Sequence, residues 1–409
     1  MKRRAAWLLA AGTLLACVAN AESLDGHEQP PDLTAALLQG ELRFNFRYRF
    51  EHVDDDALAD AAEASTLRSR FYYRSAGWRR WSALLEIDDV QSIGNDLYNS
   101  TRNGATDLPL VADPEGTEIN QATLQYSASR YSLALGRQRL NLDNQRFVGA
   151  SAWRQNEQTF DALSARYRLP STDISYSHAA NVNRSLGPND GTPPADLRGR
   201  MHLLTVKQDA RALGSLTAFV YSLDFDNAAA LSSRTLGLRW TGNYPLVGEL
   251  RALQATAWAR QSEAGDNPAD FTSDYWQIEL GLKLRAWSLA LGRETLEGDP
   301  VLPDRSFQTP LATQHVFQGW ADKFTTTPAA GIEDTYVALA GSSGDLKVQL
   351  VWHDFAAQAV ERDYGEEWDA SVSYLVAKRY ELLLKVADYS SDGFSTDTTK
   401  LWLQLSASF

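Results

Sequence analysis

Cysteine is almost absent: the 409-residue chain has one, Cys17. It falls within a stretch that reads as an export signal, so the mature chain carries no disulfide, no cysteine metal site and no thiol nucleophile. Long apolar runs are missing too. Mean hydropathy is -0.35, and beyond the signal nothing approaches the roughly 18 apolar residues of a membrane-spanning helix, which excludes a helical membrane protein. Positive charge is in deficit, with 39 Lys and Arg against 52 Asp and Glu and a net charge of -13. Loss of Lys2, Arg3 and Arg4 with the signal leaves the rest more acidic still. Phosphate backbones need a basic surface, so nucleic acid is not an expected partner. The six histidines, His27, His52, His178, His202, His315 and His353, form no metal-ligand spacing. The acidic runs lack the calcium-loop pattern, and no metal or cofactor is implied.

What is present starts with the signal at residues 1–21: basic Met1–Arg4, apolar Ala5–Val18 and the small-residue site Ala19-Asn20-Ala21. A lipid-attachment reading competes through Leu14-Leu15-Ala16-Cys17. Residues 22–39, with Pro30-Pro31 and the Leu33–Leu38 patch, read as a periplasmic lead-in: a helical turn, a plug on a barrel floor or a disordered tail. From about residue 40 to 409 the apolar pattern has period two. Leu42, Phe44, Phe46, Tyr48 and Phe50 alternate with Arg43, Asn45, Arg47, Arg49 and Glu51, as on a strand with one apolar and one charged face.

Eighteen such segments can be counted, separated by connections that alternate long and short. The long ones lie near 54–63, 90–117, 140–156, 184–199, 225–231, 262–273, 298–331, 358–365 and 391–396. An all-β fold is expected: a transmembrane antiparallel up-and-down β-barrel of about 18 strands with short periplasmic turns and longer outer loops, in a Gram-negative outer membrane. Lipid and lipopolysaccharide are its expected surroundings. Arg80-Trp81, Arg130-Tyr131, Ala286-Trp287 and Arg379-Tyr380 open strands with a ring suited to the membrane interface. The last strand ends in Phe409, a terminal aromatic resembling the signal read by barrel-assembly machinery.

If the apolar faces meet lipid, the opposite faces line a lumen. They offer Arg43, Arg47, Arg49, Arg68, Arg70, Arg74, Arg166, Arg239, Lys283, Arg285, Lys347 and Lys385 against Glu51, Glu86, Asp88 and Glu279. Only eight of the 39 basic residues are lysine. Arginine holds its charge at any working pH and grips a carboxylate through two parallel hydrogen bonds, so such a pore suits carboxylated sugars or small organic anions. Alternatively the inward arginines pair with inward acids and brace the wall. A barrel hydrolase would need a rim cluster, for which Ser175, Ser177 and His178 are the weak candidates.

The stretch from Leu135 to Asp161 reads LGRQRLNLDNQRFVGASAWRQNEQTFD. With Gly136-Arg137-Gln138, Leu142-Asp143-Asn144-Gln145-Arg146-Phe147 and Trp153-Arg154-Gln155-Asn156 in place, it resembles the signature region of the alginate-export family of outer-membrane proteins. The resemblance implies an eighteen-stranded monomeric barrel whose electropositive pore passively conducts an anionic polysaccharide outward. Arg137 and Arg139 then close a strand, and 140–156 forms the next outer loop. Two roles stay open for that loop. Asn144, Gln145, Arg146, Arg154 and Gln155 fold into the pore and narrow it, or Asp143 or Asp161 pairs with Arg146 or Arg154 as a structural clasp. The chain is short for an alginate secretin, so another anion or oligosaccharide, a general porin and either direction of flow also remain open.

Overall fold

The computed structural model describes residues 30–409; the signal, with Cys17, and the first part of the lead-in lie outside the described residues. A short helix, α1 (Leu33–Leu38), precedes β1 (Glu41–Asp55), β2 (Ala62–Arg74), β3 (Trp81–Leu97), β4 (Gly116–Ser127), β5 (Tyr131–Gln138) and β6 (Thr159–Arg168). Then come β7 (Thr172–Asn183), β8 (Asp196–Asp209), β9 (Ser215–Phe225), β10 (Ser233–Pro245), β11 (Leu250–Glu263) and β12 (Thr272–Leu284). The chain ends with β13 (Trp287–Leu296), β14 (Ile332–Ser343), β15 (Leu346–Ala356), β16 (Asp363–Val376), β17 (Tyr380–Ser391) and β18 (Thr398–Ser408). Each strand pairs antiparallel with its sequence neighbours, and β1 meets β18 from Asn45↔Ser408 to Asp55↔Thr398, closing the sheet into a barrel. Closure leaves no strand edge facing hydrocarbon, which is why strands can cross a bilayer only in this form.

The expected eighteen strands are all present, and the bounds drift mainly at the long-loop end. β3 runs on to Leu97 rather than ending near 89, and β8 starts at Asp196 rather than 200. Above the apolar belt both strand faces are polar, so alternation loses its contrast there. The outward faces of β12 and β13 are all apolar through the belt, from Trp276 to Leu284 and from Trp287 to Leu291, and these side chains are exposed. Aromatic rings mark both borders. At the short-turn end Trp81 packs edge-on to Tyr126 at 5.0 Å and Tyr380 to Phe409 at 6.2 Å, while toward the loops Trp258 meets Trp276 at 6.2 Å and Trp352 meets Trp368 at 6.4 Å. Phe409 is tied into the seam, its amide donating to Phe44 O at 2.9 Å.

Tight turns close the short side: between the paired Val376 and Tyr380, Ala377 and Lys378 both take left-handed φ, 50° and 57°, and Arg379 N donates to Val376 O at 3.1 Å. The lead-in forms one helical turn, capped by Asp32, whose carboxylate accepts from Ala35 N at 2.8 Å. It is fastened to the short-turn rim by Ala76 N to Ala36 O (3.0 Å) and by Tyr73 Oη to Leu37 O (2.7 Å).

The inner wall departs from the simple assignment of apolar residues to lipid. On β8 and β9, Leu197, Met201, Leu203, Phe219, Tyr221, Leu223 and Phe225 are buried and face inward, where they form one hydrophobic cluster with Leu140, Val148, Phe307, Leu311 and Phe324. Those partners belong to two outer loops, residues 139–158 and 297–331, which fold down into the barrel. An apolar inner wall therefore exists because loops pack on it.

Candidate functional site

The lumen divides into a constriction, built where the two inserted loops meet the wall, and an open vestibule toward the short turns. The first loop begins where β5 leaves the sheet. Gly136 has φ of 119°, and a Cβ there would collide with Ala122 O, so only glycine carries the chain through this departure. At the meeting point of the loops Gly149 packs on the Thr313 hydroxyl with no room for a methyl. Gly149 N donates to Leu311 O (2.9 Å), Thr313 N to Gln145 O (3.1 Å) and Gln158 Nε2 to Leu311 O (3.0 Å). The two loops thus form a single inserted body.

Ion pairs fix that body to the wall on every side. Toward β1–β3, Arg47 donates to Gln155 Oε1 (2.8 Å) and to Arg154 O, and Arg49 donates to Trp153 O (2.7 Å) while its guanidinium lies 4.0 Å from the Trp153 ring. Arg70 grips Asp88 (2.6 Å) and Glu157 (2.9 Å); Arg68 stands 3.6 Å from Glu157; Arg139 bonds both Glu86 and Glu157. Across the barrel, Arg146 pairs with Glu294 at 2.8 Å, and Tyr275 donates to the same carboxylate at 2.6 Å. Asp143 meets Arg239 at 3.3 Å. Burial opposes charge on Glu157, yet the adjacent Arg139, Arg70 and Arg68 hold its carboxyl well below the usual range.

The second loop has its own latch. His315 stacks on Trp153 at 4.6 Å, its Nε2 lies 2.6 Å from Lys385 Nζ, and its Nδ1 lies 3.0 Å from Asp322. The Lys385 ammonium is boxed by three indoles, 3.6 Å from Trp320, 4.2 Å from Trp153 and 5.4 Å from Trp402. Asp322 also pairs with Arg154 (3.0 Å) and Lys400 (3.1 Å), and Arg154 reaches Glu51 at 3.3 Å. Burial, and then Lys385, hold the His315 imidazole well below its ordinary value. Burial would raise the Asp322 carboxyl, but Lys400, His315 and Arg154 keep it well below.

The clasp anticipated from the sequence therefore forms with other partners. Asp143 takes Arg239, Asp161 takes Arg137 (2.8 Å), Arg146 takes Glu294, and Arg154 takes Glu51 and Asp322. Asn144 caps Arg146 N at 3.3 Å, and Gln145 accepts from the Thr313 hydroxyl at 2.9 Å. Sequence reading missed Asp113, which lies 3.5 Å from Arg49, and Glu157, Glu294 and Asp322, because each of these acids meets an arginine far along the chain.

Of the expected lumen cations, Arg47, Arg49, Arg68 and Arg70 are engaged at the constriction. Arg43, Arg74, Arg166, Lys283 and Lys347 stand lower, on inward registers of β1, β2, β6, β12 and β15. Arg166 pairs with Asp173 and Arg43 with Glu41. Arg285 sits in the β12–β13 turn at the rim, paired with Glu249. Among the described residues Arg74, Lys207, Arg251 and Lys347 form no ion pair, and all four lie on the inner face of the vestibule. The hydrolase candidates separate. Ser177 faces inward and bonds Ser164 (2.8 Å), while His178 faces outward, stacked on His202 at 4.7 Å.

A family model described as Alginate export matches residues 39–184, a span that contains the signature stretch. No curated protein matches. Among solved structures, the barrel is similar to Pseudomonas aeruginosa OpdK with vanillate, at TM-score 0.69 and 12% identity, over 91% of this chain and 99% of that one. It is also similar to Acinetobacter baumannii OccAB2, at TM-score 0.72 and 14% identity, over 91% and 98%. Pseudomonas aeruginosa OccK8 (OprE) matches at 0.68 and 13%, over 91% and 98%. With its lipid-facing belt and its closed sheet, the chain is an outer-membrane β-barrel that shares the fold of these solved outer-membrane proteins.

Proposed function

We propose that this barrel passively conducts carboxylated saccharides, with an arginine- and lysine-lined vestibule as the attractive element. The observation that carries the reading is the division of labour among cations. At the constriction Arg70, Arg139, Arg146 and Arg154 are committed to acids and Arg47 to an amide and backbone carbonyls, while Arg74, Lys207, Arg251 and Lys347 form no ion pair among the described residues and keep their charge for solute. Low-dielectric walls focus such a field and raise local anion concentration, and several weak sites let an anion leave as readily as it enters. The alginate-export match supports a polymeric uronate as cargo.

A second reading, a channel for small carboxylates, is favoured by how tightly the two loops pack the lumen. OpdK, similar in fold, was solved with vanillate, a small carboxylate. Blockade of single-channel current separates the two. A polymer channel gives blockades by oligouronates whose dwell time grows with chain length, and none by neutral oligosaccharides of equal length. Blockades by monomeric carboxylates alone would favour the second reading, and equal blockade by neutral sugars would contradict both.

A further inference from the structure

Between β2 and β3 the chain reverses through Trp78-Arg79-Arg80-Trp81, a two-residue turn in which Trp78 N donates to Trp81 O and Trp81 N to Trp78 O, both at 2.9 Å. Its two central residues have left-handed φ, 50° at Arg79 and 72° at Arg80. Asn and Gly reach that region at little cost, whereas arginine at both positions is strained. Strain of this kind points to something the side chains do. Both are exposed, and the Arg79 guanidinium lies 4.8 Å from the Trp78 ring.

This turn is one end of a cationic arc. Ser127 N donates to Arg80 O at 2.9 Å and Arg168 N to Arg130 O at 2.6 Å, so the short turns after β2, β4 and β6 stand side by side. Residues 72–83, 125–133 and 166–174 contribute six arginines and one acid, Asp173. Asp173 already serves Arg166 and, at 3.8 Å, Arg168. Two further acids reach this part of the rim, and both are occupied: Asp32 accepts from Ala35 N, and Glu41 pairs with Arg43. Among the described residues Arg79, Arg80 and Arg130, all exposed, form no ion pair.

The arc lies at the lipid border. Each of its turns sets an arginine beside an outward, exposed ring: Arg80 beside Trp81, Arg130 beside Tyr131 and Arg168 beside Tyr167. Trp81 pairs with Tyr126, and Tyr131 with Tyr167, across neighbouring strands. The rings of Trp81, Tyr126 and Tyr131 form a row, with centroids 5.0 Å and 5.8 Å apart. Above that row the exposed Leu124, Leu133 and Leu135 continue into the apolar belt. Such rings sit at headgroup depth, where arginine stems lie along apolar surface and keep the charged head in water. A guanidinium grips two phosphate oxygens through parallel hydrogen bonds. We infer that Arg79, Arg80 and Arg130 hold the headgroup of an anionic phospholipid of the inner leaflet, with its acyl chains on Leu124, Leu133 and Leu135. The site is outside the lumen and independent of which solute the channel carries.

Native mass spectrometry of the folded, detergent-purified barrel tests it with phosphatidylglycerol and phosphatidylethanolamine of identical chains, which share the phosphodiester and differ in net charge. Phosphatidylglycerol should bind about tenfold more tightly. Arg79→Asn with Arg80→Gly places favoured residues at both left-handed positions, so the folded barrel should withstand heating at least as well as the wild type while most of that margin is lost. Adding Arg130→Gln should remove the rest. Arg130→Gln alone, in a separate turn, should lower the margin about twofold or more. Arg285→Gln, in the β12–β13 turn where Glu249 already answers the charge, should keep it. Equal affinity for both lipids, unchanged binding in the arc variants, or an equal loss from Arg285→Gln would each overturn the assignment.

Discussion

Arg70 and Arg74 are four residues apart on the inner face of β2, yet they do different work. Arg70 is held among Asp88, Glu157 and Glu86; Arg139 still serves Glu86 and Glu157, but replacement of Arg70 by Ala leaves the buried Asp88 carboxylate without a counter-charge, a loss on the order of 3–5 kcal/mol. Arg74 has no ion pair among the described residues. The expected outcome is that Arg70→Ala lowers the temperature at which the barrel loses its folded gel mobility with little direct effect on permeant charge. Arg74→Ala with Lys347→Ala should leave that temperature unchanged and reduce the anion-to-cation permeability ratio by about twofold or more. The reverse pattern would mean that the paired arginines are the selective ones. Gly136 belongs to this scale too: Ala there meets both a left-handed φ and Ala122 O, and should cost about 1 kcal/mol or more, read by the same mobility assay.

The inserted loops behave as an element whose fastening depends on pH. A released loop carries His315 with a pKa of about 6.5, whereas inserted His315 resists protonation because it is buried against Lys385. As pH falls below that released value, protons favour release, and insertion weakens until pH reaches the low inserted value. Asp322 and Glu157 act later. Their inserted pKa values are depressed, so their contribution is complete above about pH 4 and is lost only at stronger acidity. Hydrogen exchange across 312–324, corrected for intrinsic rates, should therefore rise between about pH 7 and about pH 5 in the wild type, and His315→Gln should flatten that rise. A flat wild-type profile would remove His315 from the latch. Shortening the long loop by replacing 306–327 with a brief Gly-Ser link should raise single-channel conductance several-fold; unchanged conductance would mean that the loop does not limit flow.

At the scale of the molecule, the barrel was legible because lipid enforces strict alternation over each crossing. The phase of long and short connections, from Gly77 to Lys378, follows from a chain that turns tightly on one side only. The limits of legibility are physical. β9 presents Phe219, Tyr221, Leu223 and Phe225 inward, against the rule that apolar means lipid, since nothing local in the strand tells of a loop from 297–331 arriving to cover it. The motif loop was found through its arginines and amides, but its partners Glu294, Asp322 and Glu51 lie more than a hundred residues away, and local spacing carries no record of such pairs. The inward registers of Arg74 and Lys347 were legible despite the acidic total charge, because strict alternation assigns each strand residue a face.

The most direct measurement is the reversal potential of the purified barrel in a planar bilayer under a potassium chloride gradient. Guanidinium and ammonium groups left unpaired in the vestibule predict a potential of the sign that marks chloride as the more permeant ion, shrinking as salt screens the field. A potential of the opposite sign, or none at low salt, would contradict the account.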